Sequence, residues 1–170
     1  KLAFRKESVV AEKAPWITYR PTLKVLDCTI RDGGLINDHK FTDQTVRAVY
    51  DTCIAAGIDY MEVGYKNSAK LFPKSDFGDW RHCDEEDIRR VVGDHDSEAT
   101  GLKLSAMADA GKSDWKEKVE PSKDSVLDII RIAFYANQVS EAVEMVHHAH
   151  EQGYEVVANL MAVSNITEAE

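Results

Sequence analysis

The chain has 170 residues, of which 30 are acidic and 21 are basic, so its formal net charge is −9. With 44% hydrophobic residues this is an ordinary soluble globular composition, and the acidic balance argues against a general nucleic-acid-binding surface. No apolar run approaches the roughly 20 residues of a transmembrane helix, so we expect no membrane partner.

The cysteines are few and widely spaced. Cys28, Cys53 and Cys83 are odd in number and form no Cys-x-x-Cys pair, which indicates neither a disulfide framework nor a zinc ribbon. Cys53 falls on the apolar stripe of a predicted helix and is expected in the core. Because no secretory signal is visible, we predict a reducing, cytoplasmic location.

Strict alternation of apolar and polar residues over positions 26–31 predicts a β-strand. Its two faces are Leu26, Cys28 and Ile30 on one side, and Asp27, Thr29 and Arg31 on the other. A surface strand would place the polar row in water. The rest of the chain alternates strands with helices, however, which favours a parallel sheet covered by helices on its outer side. We therefore predict that the polar row points into a barrel.

Four further strand and helix units follow. Strands are predicted at 58–64, 102–109, 128–135 and 155–161, with Glu62, Arg131, Ala133 and Asn159 facing inward and with Ser105 and Asp109 sharing a face. A (β/α)8 TIM barrel needs roughly 250 residues, so residues 23–170 are expected to cover about five of its units. Residues 1–22 are interpreted as an N-terminal extension.

The segment Asp27-x-Thr29-x-Arg31-Asp32-Gly33 resembles the first-strand signature of the HMG-CoA lyase-like group, the DRE-TIM metallolyases. That group includes 4-hydroxy-2-oxovalerate aldolase, isopropylmalate synthase and homocitrate synthase. The resemblance implies an enzyme with a TIM-barrel fold. It implies a divalent-metal-dependent carbon–carbon lyase or aldolase that acts next to the carbonyl of a small 2-oxo acid, through an enolate.

The resemblance also implies roles for individual residues. Asp32 becomes a ligand of Mg²⁺ or Mn²⁺, both of which prefer oxygen ligands, and Arg31 becomes the cation that holds the enolate oxygen. An alternative is that Arg31 and Asp32 only form an ion pair with each other. A strand disfavours this, because neighbouring residues on it point to opposite faces. The residues expected to bind the oxo or hydroxy acid are Asp27, Thr29, Glu62, Arg131 and Asn159. For Glu62 and Arg131 a purely structural ion pair is an equal alternative.

The chain departs from the group's pattern at the catalytic base. The aldolases carry a His two residues after the motif Gly, where this chain has Leu35, and the synthases carry Glu-Gln where it has Gly34-Leu35. His39 is the candidate replacement, although a loop histidine is more commonly exposed. The group's His-x-His metal ligands are expected beyond Glu170.

The pair His148 and His150 is no substitute for those ligands, because residues two apart diverge on a helix. A solvated helix face is the simpler interpretation of His147, His148 and His150. The missing base and the missing histidine pair keep two alternatives open. One is a Claisen-type acyl-CoA synthase, and the other is a degenerate, non-catalytic barrel that serves as a binding module. The resemblance also allows a homodimer.

A long loop over residues 64–83 follows the predicted second strand and contains several aromatic residues. Loops of this length are uncommon and are often functional. Because the loop leaves the strand end that carries active sites in such barrels, we predict a substrate lid. The alternative is a disordered insertion, which the aromatic content disfavours.

Overall fold

A five-stranded parallel sheet in the order β1-β2-β3-β4-β5 runs through the part of the chain that the computed structural model describes, residues 22–165 and 167. The strands are β1 (Leu26–Asp27), β2 (Tyr60–Tyr65), β3 (Lys103–Asp109), β4 (Ile129–Phe134) and β5 (Glu155–Leu160). The helices are α1 (Thr29–Gly33), α2 (Asp43–Ala56), α3 (Glu85–Val92), α4 (Ser97–Thr100), α5 (Trp115–Lys118) and α6 (Val139–Glu151). Sequential parallel pairing with helical connections is the arrangement of a partial TIM barrel. The described residues therefore confirm the predicted fold class for five strands.

The hydrophobic core lies between the outer face of the sheet and the helices. As predicted, Met61 and Val63 of β2 and Ile130 and Ile132 of β4 are buried there. Cys53 is also in this core, and burial raises the pKa of its thiol to about 11. This thiol therefore packs as a small apolar group.

Helix α2 has a capping residue at each end. The Thr42 side chain accepts a hydrogen bond from the Thr45 N–H at 3.2 Å, and Gly57 ends the helix with a left-handed φ of 68°. Asp84 precedes α3, but its carboxylate binds Lys74 and Lys118 and does not cap the helix. Burial opposes its charge, yet the two ammonium groups prevail and lower the pKa of Asp84 to about 2.

The first strand ends at Asp27, so the predicted alternation through Arg31 is wrong. The Asp27 carboxylate accepts hydrogen bonds from the backbone N–H of Thr29 at 3.0 Å and from its hydroxyl at 2.9 Å. Local bonds of this kind compete with strand pairing, and the chain turns into α1. Within β1, Asp27 is aligned with Met61 of the outer core and lines a groove against α2 together with Thr29, whereas Leu26 faces the barrel interior. The inward orientation predicted for Asp27 and Thr29 is therefore wrong.

The inner face of the sheet carries side chains in rows that the strand register aligns. Tyr65 pairs with Met107, while Ala133 pairs with Asp109 on one side and with Asn159 on the other. Register partners on parallel strands share a face, so Asn159 lies on the inner face with Ala133, as predicted.

The predicted N-terminal extension, residues 1–22, falls almost entirely outside the described residues. Among the helices that the structure does describe, none is both long enough and apolar enough to cross a membrane.

Candidate active site

The buried carboxylate of Glu62 joins two arginines inside the barrel. Its Oε2 atom accepts hydrogen bonds from Arg31 Nε at 2.7 Å and from Arg131 Nη1 at 2.8 Å, and the Cys28 thiol lies 3.6 Å away. Glu62 is fully buried, and this double pairing at Oε2 places two positive charges against its buried negative charge. The predicted ion pair of Glu62 and Arg131 is therefore present. Their predicted contact with substrate stays a prediction.

Arg31 extends from α1 toward the mouth of the barrel. Its guanidinium also contacts the Asp32 carboxylate, and its Cζ atom lies 5.9 Å from the centre of the Tyr65 ring. The pairing of Arg31 with Asp32, disfavoured on a strand, occurs because both residues lie on a helical turn. Burial acts against the charged form, but Glu62 outweighs burial and raises the pKa of Arg31. The guanidinium therefore stays charged at every physiological pH.

Asp32 is the exposed member of this group, with 57% of its side chain accessible to solvent. Within the described residues, no group of three or more His, Cys, Asp or Glu side chains could hold a metal ion. Divalent cations such as Mg²⁺ and Ca²⁺ take six or more oxygen ligands, some from water or substrate. Asp32 is available as one such ligand, so the described residues hold at most part of a metal site.

His39 is buried, which corrects the view that it is an exposed loop residue. Its Nε2 atom lies 3.0 Å from Arg81 Nη1, and its ring meets the Tyr65 ring edge-on with centroids 5.3 Å apart. Burial, followed by the positive charge of Arg81, lowers the pKa of His39 to about 4. Because Arg81 can only donate, Nε2 accepts and the proton of the neutral ring is on Nδ1. That nitrogen faces Gly34, where a Cβ atom would lie only 2.0 Å away.

The segment 64–83 packs against the turn that follows α1. Arg81 lies over the Phe72 ring, with Cζ 3.8 Å from its centre, and 4.7 Å from the centre of Tyr65. Trp80 is buried in the outer core. The aromatic residues thus hold the segment in a packed structure, which does not fit the alternative of a disordered insertion. Its motion as a substrate lid stays a prediction.

Gly78 provides a test of this packing. Its N–H donates to the Asp38 carbonyl at 2.8 Å, and an added Cβ would lie 2.2 Å from the His39 carbonyl oxygen. Backbone atoms cannot move aside as a side chain can, so we expect Gly78→Ala to lower the free energy of unfolding by about 1–3 kcal/mol. Urea denaturation measures this loss.

The matched control for Gly78 is Gly101→Ala. Gly101 has a left-handed φ of 74° but open space around its Cα, so its replacement tests backbone conformation without a clash. A Gly78→Ala variant no less stable than the Gly101→Ala variant would contradict the proposed contact between the segment 64–83 and His39.

Three residues near this site were not predicted from the sequence, namely Tyr65, Arg81 and Asp109. Asp109 ends β3 on its inner face, with 9% of its side chain exposed. The sequence offers one indication that Asp109 faces inward, namely that it shares a face of the predicted strand with Ser105. Arg81 lies in a 3₁₀ turn, Asp79–Arg81, where no periodicity marks it.

His148 and His150 both lie on α6, where residues two apart point in different directions. His148 is, however, half-buried: its Nε2 atom lies 3.2 Å from the Val119 carbonyl oxygen, and its ring packs against Trp115. The interpretation of a fully solvated histidine face is therefore wrong for His148. It agrees with the exposure of His147 and His150.

No protein-family model matches the chain. Among curated proteins it is 30% identical over 137 residues to an oxaloacetate decarboxylase of Mycobacterium tuberculosis, covering 81% of this chain and 38% of that protein. It is 27% identical over 145 residues to 4-hydroxy-2-oxovalerate aldolase 1 of Rhodococcus erythropolis, covering 85% of this chain and 40% of that protein. The chain thus spans about two fifths of the length of these relatives.

Among solved structures, the chain is similar to the N-terminal domain of a protein assigned as an aldolase from Bacteroides vulgatus. The TM-score is 0.67 at 26% sequence identity, and the match covers 84% of this chain and 46% of that chain.

Proposed function

We infer the function of this chain from its family, because the chain belongs to the HMG-CoA lyase-like superfamily of TIM-barrel enzymes. The curated relatives are a decarboxylase and an aldolase, and both reactions break a carbon–carbon bond next to a carbonyl group. We propose that the whole protein is a divalent-metal-dependent lyase in the cytoplasm. Its substrate would be a small 2-oxo acid that is cleaved to pyruvate through an enolate.

The observation that supports this proposal most strongly is the fixed position of Arg31. Bond cleavage next to a carbonyl leaves negative charge on the enolate oxygen, and a preorganised cation stabilises that charge in the transition state. Glu62 accepts a hydrogen bond from Arg31 Nε at 2.7 Å, and the rest of the guanidinium contacts the exposed Asp32 carboxylate. Arg131 is held by the same carboxylate, so the group of Arg31, Glu62 and Arg131 keeps one unit of positive charge, which favours an anionic substrate.

A divalent cation would supply further positive charge to the carbonyl and carboxylate oxygens of the substrate. We propose that Asp32 is the ligand that residues 22–165 contribute to the divalent cation. Exposure of the carboxylate at the barrel mouth suits that role. The base role of His39 stays a prediction, and the proposed contact of Asn159 with substrate agrees with its inner-face position.

The proposed function is tested by turnover of the full-length protein. We expect Mn²⁺-dependent release of pyruvate from oxaloacetate or from short 4-hydroxy-2-oxo acids, measured by coupling to lactate dehydrogenase. No pyruvate from any of these acids, with metal present, would contradict the proposal.

The metal assignment is tested by Asp32→Asn. This change removes the charge that attracts a hard cation but keeps the shape of the side chain, so Mn²⁺ affinity should fall by tenfold or more, about 1.4 kcal/mol. Stability should change little because the side chain is largely exposed. Titration calorimetry on the full-length protein measures the affinity.

Asp38→Asn is the matched control, since Asp38 lies on the next turn with 62% of its side chain exposed. An Asp32→Asn variant that binds Mn²⁺ as tightly as the Asp38→Asn variant would contradict the role of Asp32.

A further inference from the structure

Arg81 is a buried cation without an ion pair. Only 8% of the residue is exposed, yet no Asp or Glu of the described residues forms an ion pair with its guanidinium. Every other arginine in the described part of the chain pairs with a carboxylate, namely Arg31, Arg47, Arg89, Arg90 and Arg131. Buried charges are normally paired or used in binding. The lack of a pair at Arg81 therefore indicates an anion from outside the described residues.

The Arg81 guanidinium is held in place by neutral groups. Its Cζ atom lies 3.8 Å from the centre of the Phe72 ring and 4.7 Å from the centre of the Tyr65 ring. Its Nη1 atom lies 3.0 Å from His39 Nε2. Aromatic faces and a neutral acceptor orient a cation but do not cancel its charge. The group is therefore fixed in advance for an anion, which reduces the entropy lost on binding.

One edge of this guanidinium is open. Its Nε atom is buried and has no hydrogen-bond partner. Its Nη2 atom also makes no hydrogen bond to a described residue but, unlike Nε, is not fully buried. The N–H groups of Nε and Nη2 point to the same side of the planar fork and match the two oxygens of a carboxylate. A carboxylate can reach this edge from the surface, because Nη2 contacts solvent.

The charges around Arg81 leave an excess of one positive charge. Asp109 acts on the Arg81 charge without forming an ion pair with it, and its carboxylate lies 3.8 Å from Lys112 Nζ. Two cations and one anion therefore meet at this side of the barrel mouth. The group around Glu62 has the same composition and also keeps one unit of positive charge. A ligand that neutralises both groups carries two negative charges.

The two positive groups contact one aromatic ring. Arg31 Cζ lies 5.9 Å from the centre of the Tyr65 ring, and Arg81 Cζ lies 4.7 Å from the same centre. A hydrogen bond from a guanidinium to a carboxylate adds about 2.8 Å on each side. A substrate whose carbonyl group lies at Arg31 can therefore place a second carboxylate, a few bonds away, at Arg81.

We propose that Arg81 binds a second carboxylate of the substrate, so that the substrates are dicarboxylic 2-oxo acids, an inference that rests on the proposed lyase function. The 2-oxo end of the substrate lies at Arg31, and the distal carboxylate accepts hydrogen bonds from Nε and Nη2 of Arg81. Arg81 is thus a specificity-determining residue. It contributes to substrate binding and transfers neither a proton nor electrons.

The test uses two substrates that differ at one group. 4-Hydroxy-2-oxopentanedioate carries a carboxylate on C4 where 4-hydroxy-2-oxopentanoate carries a methyl group, and cleavage of either acid releases pyruvate. For the full-length protein with Mn²⁺, we expect kcat/KM to be higher for the diacid by about tenfold or more, because a charged hydrogen bond is gained. The difference should lie mainly in KM.

Arg81→Met removes the charge but keeps an unbranched apolar side chain between the two rings. It should lower kcat/KM for the diacid by about 10–100-fold, again through KM, and leave the monoacid within about threefold of the wild type. Arg81→Lys keeps the charge without the planar fork and should show an intermediate preference. Arg47→Met is the matched control, since Arg47 also lies over a tyrosine ring, 5.2 Å from the centre of Tyr50, but on α2. It should keep the wild-type preference.

The possible outcomes separate the inference from the proposed function. A wild-type protein that cleaves both acids equally well would overturn the inference and keep the lyase. Equal loss of both activities in Arg81→Met would show a structural role for Arg81, and an unchanged preference for the diacid would show no role in binding; either result overturns the inference alone. Should Arg81→Met not fold, a full wild-type preference in Arg81→Lys would overturn it. No pyruvate from either acid or from oxaloacetate would overturn the proposed function as well.

Discussion

A Glu62→Gln variant should lose about 3 kcal/mol of unfolding free energy, because removing one partner from a buried ion pair leaves an uncompensated charge. Glu62 is fully buried, and both Arg31 and Arg131 have only 15% of their side chains exposed. Gln keeps one hydrogen-bond acceptor but no charge, so two guanidinium groups would face each other without a neutralising carboxylate. The loss should be visible in urea denaturation followed by circular dichroism.

Glu155→Gln is the matched control for this change. Glu155 also lies on a strand and binds one cation, Lys103 at 2.7 Å, but 42% of its side chain is exposed. An exposed pair of this kind contributes about 0–1 kcal/mol. Equal losses in the two variants would show that the pairing of Glu62 contributes no more than a surface ion pair does.

The faces of β2 and β4 were predictable because each strand alternates residues of opposite character. Glu62 between Met61 and Val63, and Arg131 between Ile130 and Ile132, leave a single orientation that buries the apolar residues under helices. Both charged residues then share the inner face, and the long Arg131 side chain reaches Glu62 across β3.

The first strand shows where this reasoning fails. The same alternation over positions 26–31 is interrupted by a local interaction, the hydrogen bonds of the Asp27 carboxylate to Thr29. A short helical turn and a short strand both bury Ile30, so burial of the apolar residue does not distinguish them. Asp27 is aligned with Met61 of the outer core, so β1 itself sets its outward orientation, and the turn then places Thr29 beside it. Arg31 nevertheless reaches the interior, because the helical turn redirects it toward Glu62.

The surroundings of His39 could not be predicted from spacing. His39 is buried because two glycines, Gly34 and Gly78, leave room for its ring and its carbonyl group, and they lie on opposite sides of it in the sequence. Arg81 reaches it from a loop without periodicity. Contacts between loops depend on the three-dimensional path of the chain, which no local pattern encodes.

A large effect on catalysis is expected for Arg31→Lys. Arg31 binds Glu62 through Nε and contacts Asp32 through Nη1, which orients the plane of the guanidinium. Lysine is a point charge on a flexible chain and cannot make both contacts in one plane. Its ammonium group would be drawn toward the buried carboxylate, away from the enolate oxygen. Loss of one preorganised donor typically lowers turnover by about 10²–10³-fold.

This effect should appear in kcat and leave Mn²⁺ affinity nearly unchanged, because Arg31 stabilises charge that develops only in the transition state. Steady-state kinetics of pyruvate release by the full-length protein, with titration calorimetry for the metal, separates the two quantities. Arg47→Lys is the matched control, since Arg47 lies on α2 and binds Asp51 at the surface. Turnover by Arg31→Lys equal to that of Arg47→Lys would exclude Arg31 as the group that stabilises the enolate, whereas a loss of Mn²⁺ binding would assign Arg31 to the support of Asp32.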